Sequence, residues 1–187
     1  MINEEHKFIY IHPPKTGGTS IEKLFIPDAD KTDVPHKHKY AEFFWQPQYS
    51  DWYRFGTVRN PWDRMVSYYC WRIKKNLPMF GKKNFEEWMD FITNPSEYSQ
   101  YQESNWHFVT AIDTQHKMLL NIENIVRFEH FQEDFDKVCE DIGLPQMELP
   151  HVNKSDRGSY QKFYNAHTKG LVAKTYEMDI NRFKYSF

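Results

Sequence analysis

A chain of 187 residues, 40% hydrophobic and 27% charged, suits one soluble globular domain spanning residues 1–187 and is short for two. Its 24 basic and 26 acidic residues leave a net charge of −2. That balance excludes partners held by bulk attraction, nucleic acid and anionic membrane surfaces alike, so any anion site must be local.

Lys7 to His12 (KFIYIH) is an apolar run stopped by Pro13-Pro14 and predicts a buried strand. After Gly17-Gly18, the residues Ile21, Leu24 and Phe25 recur at helical spacing, so a loop feeds an amphipathic helix over Ser20 to Phe25. Pro27 to His38 is polar and irregular, and Tyr40 to Trp45 fits a short helix. A second buried strand is expected at Phe55 to Val58. Asn60-Pro61 then opens a helix: Asn is a good N-cap, Pro suits the first turn and Asp63 complements its positive end. Trp62, Met65, Val66, Tyr69 and Ile73 give that helix one apolar stripe, and Arg64 reads as a surface partner of Asp63.

Further along, Phe85 to Ile92 predicts another helix and Ile125 to Phe128 a third strand. Phe131, Phe135, Val138 and Ile142 mark a helix closed by Gly143 and Pro145, and Thr168 to Phe183 is helical. Alternating strands and helices imply an α/β fold: one three-layer domain around a central parallel sheet. Cys70 and Cys139, far apart and in helical segments, form no disulfide framework and suit a reducing compartment, the cytoplasm. Met1 to His6 carries no signal-peptide pattern, and no window approaches the ~18 apolar residues of a spanning helix.

The chemistry concentrates in Pro13-Pro14-Lys15-Thr16-Gly17-Gly18-Thr19-Ser20. A glycine pair between strand and helix lets backbone N–H groups turn toward an anion, and the helix N-terminus adds partial positive charge. Thr16, Thr19 and Ser20 offer hydroxyls, and Lys15 a full charge. The loop is P-loop-like without being a Walker A motif, since Lys15 precedes both glycines. A second anion site is expected where Arg59 ends a strand, with Ser67 two turns into the next helix.

Strand–PKTGGTS–helix followed by strand–VRNPWDRMVSYY resembles the paired signature of sulfotransferases that use 3′-phosphoadenosine-5′-phosphosulfate (PAPS). The similarity is to the branch of bacterial carbohydrate sulfotransferases and heparan 2-O and 6-O enzymes. It continues through Ile125-Val126-Arg127-Phe128-Glu129, through His151 to Arg157, and through Asp179 to Phe187. Residues 76–121 carry no such resemblance, and acceptor choice is expected there, with Trp106-His107 a possible wall of the groove.

The resemblance implies an in-line displacement: an acceptor hydroxyl attacks sulfur and adenosine 3′,5′-bisphosphate (PAP) leaves. Lys15 is then catalytic, stabilising the leaving phosphate, and Lys15, Thr16, Gly17, Gly18, Thr19 and Ser20 cradle the 5′-phosphosulfate. Arg59 and Ser67 hold the 3′-phosphate, with Lys154, Ser155 and Arg157 closing over the nucleotide. His38 is the general base, because Lys37-His38-Lys39-Tyr40-Ala41-Glu42 resembles the His-x-x-x-Glu stretch of heparan 6-O-type enzymes. Glu42 is a candidate to orient it. His36 is the nearest rival, and His12 reads as a packed or hydrogen-bonded histidine. The acceptor bears a hydroxyl and is expected on a glycan or glycolipid, with no metal required.

Two other functions compete. A P-loop-like small-molecule kinase suits the architecture but lacks the Walker lysine position and a strand-end carboxylate for magnesium. A non-catalytic module that holds PAP needs no base, and so does not explain His38. His36-x-His38 has no third spaced ligand to make a metal centre.

Overall fold

A computed structural model of the chain describes residues 1–29, 31, 34–76, 84–98, 106–150 and 157–187. Its contacts divide into two compact units, Met1–Arg59 with Gln115–Lys154 and Asn60–Thr114 with Ser155–Phe187. The fold is mixed α/β, with a mostly parallel four-stranded sheet flanked by helices.

The first unit holds the sheet: β1 (Ile2–Asn3), β2 (Phe8–Ile11), β3 (Tyr53–Val58) and β4 (Asn124–Arg127), side by side in that order. The three predicted strands are all present. They pair in parallel, Tyr10 against Phe55 and Thr57 against Val126, and β1 adds an antiparallel edge the sequence did not announce. All four residues of β2 are buried, as a strand covered on both faces requires. Phe8, Tyr10, Phe55 and Val126 join Ile21 of α1 (Gly18–Phe25) and Phe135, Val138 and Cys139 of α7 (Phe131–Asp141) in one apolar cluster. The short helix expected at Tyr40 to Trp45 is a 3₁₀ turn, Ala41–Phe44, with Ala41 and Phe44 inward.

The second unit is helical: α2 (Pro61–Lys74), α3 (Phe85–Thr93), α4 (Pro95–Tyr98), α5 (Trp106–Ile112), α8 (Ala166–Thr175) and α9 (Glu177–Phe183). The remaining α6 (Gln115–Met118) belongs to the first. Asn60 caps α2 as its sequence predicts, its side chain accepting from Trp62 N at 3.1 Å with Pro61 in the first turn. Trp62, Met65 and Val66 are buried as expected, and Tyr68 joins them. Ile73 does not: it is 52% exposed, while Arg72 beside it in the last turn is buried. The tail is two helices, broken at Tyr176, whose ring turns into the core and whose hydroxyl donates to Ile112 O at 2.8 Å. Both cysteines are free thiols. Among the described residues no helix is long and apolar enough to cross a membrane.

Arg64 overturns its reading as a surface residue. It is fully buried and donates to Asp113 O at 2.9 Å and Ala111 O at 3.0 Å, with Asp179, also fully buried, 4.0 Å away. Asp63 pairs instead with Arg157. A guanidinium out of water needs its charge and its N–H groups answered, and two carbonyls with a carboxylate do so. Replacing Arg64 by Met keeps most of the volume but removes the cation facing buried Asp179 and the donors to two carbonyls. The variant is expected to lose about 3–5 kcal/mol in denaturant unfolding.

Candidate functional site

The loop between β2 and α1 is built by backbone conformation. Pro13 and Pro14 end the strand, Lys15 takes a left-handed φ of 72°, and Gly17 a φ of 85°. Strain of this kind at a non-glycine residue costs on the order of 1–3 kcal/mol and concentrates at functional sites. Gly17 caps α1, and Ser20 N donates back to its carbonyl at 2.9 Å. A Cβ on Gly17 would approach the Phe128 and Phe131 rings to 3.0 Å, and one on Gly18 would fall 2.1 Å from His12 Nδ1. The glycine pair therefore serves both the turn and the close packing of aromatic and imidazole rings beneath it.

Thr16 is fully buried, and its hydroxyl faces inward. It donates to Pro13 O at 2.8 Å, so the 2.8 Å contact with Thr57 Oγ1 must be donated by Thr57. Thr57 in turn accepts from Tyr10 OH at 3.0 Å. This directed chain staples the loop to two strands and commits the Thr16 hydroxyl to the loop itself. Ser20 is buried, and Lys15, Gly17 and Thr19 are half-buried.

Arg59 leaves β3 beside this loop. Its Nη1 donates to Lys15 O at 3.2 Å, and its guanidinium lies 3.9 Å from the centre of the Phe128 ring. Fully buried Gln115 clamps its backbone, accepting from Arg59 N at 2.8 Å and donating to Arg59 O at 2.9 Å. Arg59, expected to hold a 3′-phosphate, is thus tied to the loop by a backbone contact and backed by an aromatic face.

His38 meets the chain just past the end of β2. Its Nδ1 lies 3.1 Å from His12 O. A carbonyl only accepts, so Nδ1 carries the proton and Nε2 keeps its lone pair. Burial first, then the neighbouring His12 ring at 4.6 Å, hold the imidazole well below its ordinary pKa. It is therefore neutral at pH 7, with the Nε2 lone pair available to accept a proton. Glu42, expected as its orienting partner, is exposed, and the His12 carbonyl takes that role. His36 is exposed against Phe43. His12 is buried and hydrogen-bonded, as its sequence context suggests, with Nε2 2.9 Å from Glu22 Oε1.

The first unit thus brings together Lys15, Thr16, Gly17, Gly18, Thr19, Ser20, Arg59 and His38. Ser67, half-buried on α2, and Arg157, paired with Asp63, belong to the second unit. Lys154 and Ser155 lie outside the described residues, as do residues 77–83, 99–105 and the side chains of Trp106 and His107. Sequence reasoning missed Glu22 and Gln115, both fully buried. Glu22 falls at i+4 from Gly18, on the face that α1 turns to His12, which was the available signal.

The chain belongs to the sulfotransferase family, whose model matches residues 1–186. It is 22% identical over 237 aligned residues to carbohydrate sulfotransferase 11 of Mus musculus, covering 100% of this chain and 66% of that protein. The Rattus norvegicus carbohydrate sulfotransferase 11 gives the same identity and coverage. The chain spans just under two thirds of the length of these curated relatives.

Gly17 and Gly143 test the packing beneath the loop. Both have positive φ, but a Cβ on Gly143 meets nothing within 4 Å. Gly143→Ala should cost about 1 kcal/mol from backbone strain alone. Gly17→Ala, with two rings to displace as well, should lose more, about 1–3 kcal/mol. Paired thermal melts measure the difference.

Proposed function

We propose that this protein transfers a sulfuryl group from PAPS to a hydroxyl of a carbohydrate acceptor. The observation that carries the reading is a strained, glycine-capped loop bearing Lys15, bonded to Arg59 and overlooked by a neutral histidine, in a chain of the sulfotransferase family. The names of its relatives favour carbohydrate as the acceptor class.

The residues suit the nucleotide. The left-handed Gly17 and the start of α1 leave backbone amides to meet phosphate, and Lys15 and Arg59 bring cationic charge to the same loop. The acceptor oxygen forms its bond to sulfur as the sulfur–oxygen bond to the 5′-phosphate breaks, and PAP departs. His38 Nε2 takes the hydroxyl proton, while its Nδ1–H stays on the His12 carbonyl. Lys15 and the loop amides meet the charge that builds on the leaving oxygen. Ser67 and Arg157 rest on the sequence reading alone as nucleotide contacts.

Transfer of labelled sulfuryl from PAPS to a panel of neutral and acidic glycans tests this reading. The wild-type chain should label at least one. Lys15→Ala should lose about 10²–10³ in rate, and His38→Ala about 10²–10⁴. No labelling of any glycan, with PAP still bound, would favour the binding module. The pH profile supplies a second check. The neutral imidazole is the active form, so kcat/KM should rise with pH through the lowered pKa. Its acid limb should therefore fall below 6.5, the ordinary value of the group. A limb above 6.5 contradicts His38 as the base.

A further inference from the structure

Glu22 is a fully buried carboxylate on α1, and each of its oxygens meets a different partner. Oε1 accepts from His12 Nε2 at 2.9 Å, and Oε2 lies 2.8 Å from Lys37 Nζ. Burial alone would raise its pKa, but His12 and Lys37 together hold it down to about 2. It is therefore ionised at neutral pH.

The two partners lie on either side of the base. Lys37 immediately precedes His38 and reaches inward while His36 and His38, its neighbours, both take left-handed φ of 61°. Such a backbone persists only where surrounding contacts determine it, and the Lys37–Glu22 pair is one tie in that stretch, beside the His38–His12 bond. His12 supplies the carbonyl that fixes the proton of His38 on Nδ1, and its own ring is held by Glu22. Gly18 admits that ring against the start of α1.

We propose that Glu22 is the positioning residue of the base. It holds His38 in place and in one tautomer through Lys37, its chain neighbour, and His12, just past the end of β2. Glu22 does not touch the reacting atoms. Its effect is on the angle from which Nε2 meets the acceptor hydroxyl, which rests on the reading of His38 as base. Displacement of a reacting group by about 1 Å can cost 10²-fold in rate.

Three variants test this: Glu22→Gln, which keeps shape and removes charge; Lys37→Met, which cuts one arm at a partly exposed site; and His38→Ala as reference. The measurements are kcat, KM for PAPS, PAP affinity, and the ¹⁵N shifts of the His38 ring by NMR. In the wild type, His38 should show the Nδ1–H tautomer, whether or not transfer is found. In Glu22→Gln and Lys37→Met, those shifts should move toward a tautomer mixture. Their kcat should fall by roughly 10²-fold, with PAP affinity kept within threefold. Unmoved His38 shifts in both variants overturn the proposal, whatever happens to rate. So does a fall in kcat matched by an equal loss of PAP affinity. Should Glu22→Gln fail to fold, Lys37→Met decides alone. Absent transfer by the wild type would sink the catalytic reading while the NMR arm still judges the positioning of His38.

Discussion

A carboxylate with no access to water governs the first unit. An ionised group in a protein interior faces a desolvation penalty of several kcal/mol, which only well-placed cations and hydrogen bonds offset. Glu22 meets that demand with His12 and Lys37, and each partner fixes a different piece of chain. The end of β2, the first turns of α1 and the segment at Lys37 therefore share one buried charge, in addition to the packing of β2 on α1 and the His38–His12 bond. The loop with Lys15 lies between two of those pieces.

The second unit solves the same problem with the opposite sign at its centre. There the buried group is the Arg64 guanidinium, answered by two carbonyls and Asp179. Such networks contribute less to net stability than apolar packing would, but they penalise any arrangement that leaves one member unpaired. In both units the buried charge fixes its polar partners in place. The Tyr10–Thr57–Thr16–Pro13 chain extends the principle to neutral groups, since a hydroxyl with one proton can bond in only one order.

The fold was legible wherever its cause is local. Apolar runs predicted the three strands, the glycine pair predicted the loop, and Asn60-Pro61 predicted the start of α2. The reading failed where burial depends on distant partners. Arg64 looked like a surface residue because its acceptors, Ala111 and Asp113, lie 47 and 49 positions along the chain. Glu22 and Gln115 were passed over for the same reason: a charged or amide side chain reads as solvated until its partners are known. Thr16 was legible as part of the loop but not in its direction, which Thr57 on the neighbouring strand decides. His38 was found by resemblance, while the partner of its Nδ1, a backbone carbonyl, has no sequence signature at all.

The central claim is that the loop and Arg59 receive a nucleotide with phosphates at both the 5′ and 3′ positions. Thermal unfolding with adenosine 3′,5′-bisphosphate, set against 5′-AMP and Mg-ATP at matched concentration, tests it most directly. At about 100 times its Kd the bisphosphate should stabilise the native state by about 2.7 kcal/mol, a rise of roughly 5–11 °C for a chain of this size. The account predicts that rise with the bisphosphate and little with 5′-AMP. No rise with the bisphosphate, or a rise with Mg-ATP alone, would contradict it.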